Sequence, residues 1–176
     1  MNRVLEVIEK RSSIRGYLEQ EISEEELSFI LNAGLQAPTA TNRQEIHFTV
    51  CKGNDPVLAE LEAEKNRLRQ ITAAEHNFYY EAPVVIFLSA ENGFRWSSVD
   101  AGIAVENMSL AAASLGLGSL IIGCVYDACH GEKKDYFETQ LQFPEGYEFQ
   151  IALAVGYGRV EKEPHTYTFD RQVTYK

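Results

Sequence analysis

Two arginines and two serines stand close together near the amino terminus: Arg11, Ser12, Ser13 and Arg15, in the run K-R-S-S-I-R-G-Y from Lys10 to Tyr17. A guanidinium offers a planar fork of donors that matches a phosphate, and serine hydroxyls can donate beside it. The run therefore reads either as an anion cradle at the end of a short helix or as a solvated basic turn. A second polar stretch, A-P-T-A-T-N-R-Q, covers Ala37 to Gln44. Asn42 and Gln44 each carry donors and an acceptor, which suits the edge of a planar heteroaromatic ring; the alternative is an ordinary connector. Other chemistry is sparse. His47 falls in an alternating segment, where it sits on a strand face without titrating usefully. Cys51, Cys124 and Cys129 are odd in number and lack a C-x-x-C spacing, as expected of free thiols in a reducing compartment. Cys124, Cys129 and His130 would make half a metal site with no second ligand pair, so no metal is expected.

The elements that position these residues follow from periodicity. Val4, Leu5 and Ile8 predict a short helix leading into Arg11. Ser23 and Glu26 form a capping box, Ile22 can staple onto Leu27, and Leu27, Ile30, Leu31 and Leu35 give that helix one apolar face before Pro38 ends it. Ile46, Phe48 and Val50 alternate with polar neighbours as a half-buried strand. Asp55-Pro56 caps a helix with proline at its first position, and its charges predict a surface location. His76, Phe78, Tyr79 and Tyr80 form an aromatic patch, read mainly as packing. Val84 to Leu88 is an apolar run suited to a strand buried on both faces. Glu91 to Ser98 is a loop with Phe94 and Trp96, in which Ser97 or Ser98 can cap the next helix. Asp100 to Leu115 is apolar nearly all round and belongs in a core or an interface, with Gly116 ending it. Ser119 to Ile122 is a short strand, Gly131 to Gln142 a polar helix, and Phe149 to Val155 the last strand. The tail from Arg159 to Lys176 is too poor in apolar residues to fold alone and is expected to wrap a surface, such as that of a second subunit.

The 176 residues suffice for one domain with a core, and a hydrophobic share of 45% is that of a folded globular chain. A net charge of −10 leaves little for the basic face a nucleic-acid binder needs. The mixed, charged opening from Met1 to Lys10 is unlike a signal peptide, and no apolar run reaches membrane-spanning length, so a cytoplasmic protein is expected. No G-x-G-x-x-G or G-x-x-x-x-G-K-[ST] opens a helix, which excludes the dinucleotide fold and the P-loop. An α+β sandwich with a mixed sheet under helices fits the order of elements.

Five pieces in this order resemble the nitroreductase family of FMN flavoproteins: K-R-S-S-I-R-G-Y, A-P-T-A-T-N-R-Q, D-A-G-I-A-V-E-N-M, L-G-L-G-S-L-I-I-G, and F-P-E-G-Y with A-V-G-Y-G. The resemblance covers nearly the whole chain. It implies a three-layer α+β sandwich with a mixed, mainly antiparallel sheet, in a single domain over residues 1–176 whose 159–176 tail wraps the partner. It also implies a homodimer with two FMN at the interface, each touched by both subunits. Carried over by position, Arg11, Ser12, Ser13 and Arg15 match the amino-terminal FMN motif, with Arg11 at the phosphate and Arg15 near the pyrimidine. Pro38, Thr39, Ala40, Asn42 and Gln44 match the loop supplied by the partner. Ile122 and Gly123 match the segment behind the ring, where a backbone N–H reaches flavin N5. Gly158 replaces a proline of the family's G-Y-P, so Arg159, Lys162 and Arg171 compete for the phosphate, with Arg171 favoured by spacing and Arg159 second. Glu45-Ile46 stands where the family often has Pro-Trp. The pocket cover would have to come from Tyr79, Tyr80 and Glu91 to Ser98. The implied activity is hydride transfer from NAD(P)H through FMN to a small acceptor such as a nitroaromatic or a quinone, with no catalytic side chain and with Gly123 and Arg15 tuning the flavin. Rival readings are a dehalogenase or enoate-type reductase of the same fold, or a non-catalytic FMN-binding or storage protein.

Overall fold

The computed structural model describes residues 2–164 and 166–176. Its centre is a sheet of four strands, β1 (His47–Lys52), β2 (Val84–Glu91), β3 (Gly118–Ile122) and β4 (Tyr147–Gly156), in the order β1-β2-β4-β3. Every pairing between these strands is antiparallel. The mainly antiparallel sheet expected from the sequence is what forms. Among the described residues parallel pairing is confined to an isolated bridge, Ser13 to Ser119, because the chain leaves that edge at once and Tyr17 pairs antiparallel with Gly158.

β2 is the buried run that its apolar sequence demands. Its alternation sends Val85 and Phe87 into one core and Val84, Ile86 and Leu88 into another. The first core is closed by α3 (Pro56–Arg69), α5 (Tyr126–His130) and α6 (Lys134–Gln140), through Leu58, Leu61, Ala128 and Phe137. The second lies under α2 (Glu24–Leu35) and α4 (Ser97–Ser114), through Ile30, Ala104 and Met108. Helices on both faces of the sheet make the three-layer α+β sandwich.

Local signals hold where side chains satisfy free backbone groups. The Ser23/Glu26 capping box forms at α2, and Asp55 caps α3 with Pro56 in its first turn. Gly116 follows α4 at φ +80°, a conformation that favours glycine. Other expectations are corrected. α4 begins at Ser97, with Trp96 at its cap, and neither serine caps it: Ser97 donates instead to the Glu91 carbonyl at 2.8 Å. α3 is not a surface helix, since Val57, Leu58 and Leu61 are core and even Glu64 and Lys65 are buried. The helix expected over Gly131 to Gln142 is only Lys134–Gln140, preceded by the unanticipated α5, because Gly131 is extended.

Two features leave apolar surface uncovered. The short α1 (Arg3–Lys10) exposes Val4, Leu5 and Ile8, and α4 exposes Val99 and Ile103. The tail after Gly158 carries one helical turn, α7 (Phe169–Gln172), and its described residues are exposed. Among the described residues no helix is long and apolar enough to cross a membrane.

Candidate functional site

The basic run forms a cradle because α1 stops there and the chain threads between two strand ends. Arg11 caps α1, its N–H donating to the Val7 carbonyl at 2.8 Å. Ile14 N–H donates to Ser119 O at 2.9 Å, and the Ile14 side chain lies over Gly118, where an added Cβ would come within 3.0 Å of it. Glycine at 118 is what lets the run approach so closely. The hydroxyls of Ser109 and Ser119, 2.8 Å apart, tie α4 to the same strand. Tyr17 is buried and donates to Ile14 O at 3.1 Å; burial pushes its phenol well above the usual range, against the opposing charge of Arg15.

Beside this run lies a cavity of about 480 Å³ lined by Lys10, Arg11, Ser12, Gly118, Ser119 and Lys162, among others. Two lysines, a guanidinium and hydroxyls are the donor set of an anion site. The Arg11 guanidinium is 3.5 Å from the half-exposed Glu106, a weak restraint that an anion could displace. Of the three basic residues in competition, Lys162 lines the cavity. Arg159 is committed elsewhere: its N–H donates to Gly16 O and its guanidinium to Tyr17 O, both at 2.9 Å. Arg171 lies exposed on α7 and does not line the cavity. Arg15 is exposed on the run itself.

The second polar stretch is held at another place. A 3₁₀ turn at Ala40–Asn42 follows Pro38 and Thr39. Ala40 N–H donates to Asp100 Oδ2 and Gln44 N–H to Thr39 Oγ1, each at 2.9 Å. Thr41, Asn42 and Gln44 have φ of 54°, 55° and 54°, an uncommon conformation for side-chain-bearing residues. Such strain persists where surroundings over-determine it and concentrates at functional sites. Arg43 anchors the loop outward, pairing with Glu91 and stacking 4.2 Å over Phe94. Asp100 opens α4 while the cradle touches Ala113 near its end, so the two sets stand roughly 20 Å apart along the helix at 1.5 Å per residue.

The remaining predicted residues, Ile122 and Gly123, do not line the cavity. Ile122 is buried at the end of β3, and Gly123 is exposed just beyond it. One chain therefore brings Arg11, Ser12 and Ser13 to β3 but does not bring the Pro38–Gln44 loop to them. Of the aromatic residues weighed for a pocket wall, Phe94 stands by that loop, whereas Tyr79 is buried and bonds the Gly53 carbonyl elsewhere. The structure adds Lys10 to the cavity wall, and Arg43 and Asp100 as the anchors of the loop. An acid at the head of an otherwise apolar helix was the signal available for Asp100. The buried thiols of Cys51 and Cys129 are pushed up to about 12, which removes them as nucleophiles. Burial also lowers the pKa of His47.

Comparison with known proteins agrees with this geometry. Residues 8–157 match the model of the Nitroreductase family. Solved structures of nitroreductases with bound FMN superpose on the chain. The protein from Bacteroides fragilis is 31% identical with a TM-score of 0.88 over 100% of both chains. That from Desulfitobacterium hafniense is 31% identical with a TM-score of 0.87 over 100% of this chain and 99% of the other. An FMN reductase [NAD(P)H] of Bacillus subtilis is 27% identical over 93% of this chain and 70% of its own length.

Proposed function

The chain belongs to the nitroreductase family, and from that premise we propose that it is an FMN-dependent NAD(P)H oxidoreductase acting on a small acceptor such as a nitroaromatic or a quinone. FMN held in the site would supply the chemistry, hydride transfer from NAD(P)H to the acceptor. The observation that carries the reading is the cradle: Lys10, Arg11, Ser12 and Lys162 around one cavity fit a single phosphate. Ser13 fixes the run to β3 through Ser119. Arg15 would add positive charge at the pyrimidine, where electron uptake deposits negative charge. Ile122 and Gly123 would back the ring, and the amides of Asn42 and Gln44 would bond its edge.

These groups cannot all reach one ligand within a single chain, given the ~20 Å between the two ends of α4. A homodimer resolves this, with Pro38, Thr39, Ala40, Asn42 and Gln44 of one subunit meeting the cradle of the other. The exposed apolar residues of α1 and α4 (Val4, Leu5, Ile8, Val99 and Ile103) supply the surface for it. The whole chain, 1–176, then acts as one domain whose 159–176 tail lies over the partner.

The test is the visible spectrum of the purified protein before and after NADH or NADPH, with the flavin then released by heat. Rapid bleaching of stoichiometric FMN is expected; FAD, or a flavin that neither nucleotide bleaches, sinks the proposal. Chain shortened after Gly158 should lose dimer and FMN together in sedimentation followed at the flavin band. A monomer retaining full FMN would overturn the shared site.

A further inference from the structure

The Pro38–Gln44 loop rests on a group that the proposed chemistry does not use. Glu45 is 7% exposed, and neither of its carboxyl oxygens has a hydrogen-bond partner. A carboxyl group taken out of water without a partner is costly, and such atoms in a folded protein point to a role. The acid beside it is Asp100, itself 3% exposed: its Oδ2 accepts from Ala40 N–H, while Gln44 N–H donates back to Thr39 Oγ1, so that the loop closes on itself between the two acids. Two ionised carboxylates cannot bond each other, since neither carries a proton. One proton between them turns the repelling pair into a hydrogen bond. The other charge near Glu45 is Arg43 on the loop itself, already paired with Glu91 at the end of β2. His47, two residues on in β1, is held toward its neutral form by burial.

We propose that Glu45 and Asp100 are positioning residues that share one proton and so hold the Pro38–Gln44 loop in its bonded, positive-φ conformation. The proton keeps Glu45 neutral beneath the loop. Asp100 is then free to spend an oxygen on Ala40 N–H, which fixes the turn that presents Asn42 and Gln44. Loss of that proton puts two negative charges side by side in a buried place, and relief comes by moving the loop off Asp100. Burial first, and then Asp100 beside it, push the Glu45 carboxyl up, against the charge of Arg43. The state that holds the loop is thus the one favoured at lower pH. The proposal rests on the flavin reading only in calling this loop a ligand loop.

Its test separates the two. Trp96 is the only tryptophan and caps α4, its carbonyl accepting from Asp100 N–H at 2.9 Å. Its fluorescence in flavin-free protein should report the pair without any cofactor. In the unaltered protein we expect a transition above the ordinary glutamate value of 4.5. Glu45→Gln replaces the shared proton with a permanent amide hydrogen and should abolish the transition while leaving the loop in place. FMN affinity should fall roughly tenfold for each pH unit above the transition in the unaltered protein and stay flat in Glu45→Gln. Should that variant fail to fold, Asp100→Asn supplies the amide hydrogen from the other side and must also flatten both curves. Fluorescence profiles that coincide for the unaltered and variant proteins would overturn the proposal even if FMN binds. A difference between them in a protein that binds no FMN would uphold it and sink the flavin reading instead.

Discussion

Glu64 and Glu45 are buried to nearly the same degree, 2% and 7% exposed, yet the structure drives them in opposite directions. Glu64, on α3, accepts from Arg67 at 2.7 and 3.1 Å and meets Lys133 at 2.9 Å, and these partners bring its pKa down to about 2. Glu45 has a second acid beside it and an Arg43 already paired with Glu91, and burial pushes its pKa up. Burial alone does not set the behaviour of a carboxyl group; the charges left facing it do. The contrast extends to the regions around them. Over α3, α5 and α6 many charged side chains are paired between elements, as Lys134 of α6 is with Glu148 of β4 at 2.9 Å. Around α4 and the Pro38–Gln44 loop there are positive φ values, an orphaned carboxyl group and uncovered apolar side chains. The first region pairs its central charges, Glu64, Lys133 and Lys134, within one chain. The second leaves apolar surface open, as the proposed dimer requires.

The largest effect expected is in the first region. Phe137 is 1% exposed in the core under α6. Phe137→Ala should cost about 3–5 kcal/mol of stability, lowering Tm on the order of 10 °C, while FMN affinity below the transition stays unchanged. Calorimetry with flavin titration decides it; a matching loss of affinity would erase the distinction between the regions. Next in size is Arg11→Ala, on the open side. A charged hydrogen bond to phosphate is worth about 1.5–3 kcal/mol, so FMN affinity should fall roughly ten- to a hundredfold. The melting of the flavin-free protein should hardly move, because its partner Glu106 is half-exposed and solvates readily. Unchanged FMN retention would remove Arg11 from the site.

Much of this architecture is legible in the residues because it is local. The Ser23/Glu26 box, the Asp55-Pro56 start, the apolar run of β2 and Gly116 after α4 each satisfy a backbone or burial demand within a few residues. What sequence misjudges depends on distant partners. α3 reads as a surface helix because its charges are visible, whereas the pairing of Glu64 with Lys133, far along the chain, is not. Ser97 reads as a cap, but the Glu91 carbonyl takes its hydroxyl. The donor types of the site are readable at Arg11, Ser12, Asn42 and Gln44. Their separation along α4 is not, nor is the meeting of Glu45 with Asp100, which spacing does not announce. Among Arg159, Lys162 and Arg171, spacing favours the last, whereas chain geometry brings Lys162 to the cavity and ties Arg159 to Tyr17.

The smallest effect tests the two glutamates against each other. Glu64→Gln leaves Arg67 and Lys133 half-exposed, with solvent to receive them, so its cost near neutral pH should fall below that of Phe137→Ala. Its signature is in the pH dependence. Glu64 has a folded pKa of about 2 against an ordinary 4.5, so its carboxylate favours the folded state above 4.5 and loses that contribution as pH falls toward 2. The gap in Tm between unaltered protein and Glu64→Gln should be widest above 4.5, shrink on acidification and close near pH 2. Glu45 must behave in the opposite sense. Its raised pKa means that the folded state binds the proton more tightly than the unfolded one, so stability falls as pH rises above 4.5. Glu45→Gln should therefore gain on the unaltered protein as pH increases, over a range where Glu64→Gln stays at a constant deficit. Melting curves for both variants across one pH series would show this. Two difference curves of the same sign and slope would mean that paired and orphaned burial are equivalent here, which the geometry around Asp100 and around Lys133 denies.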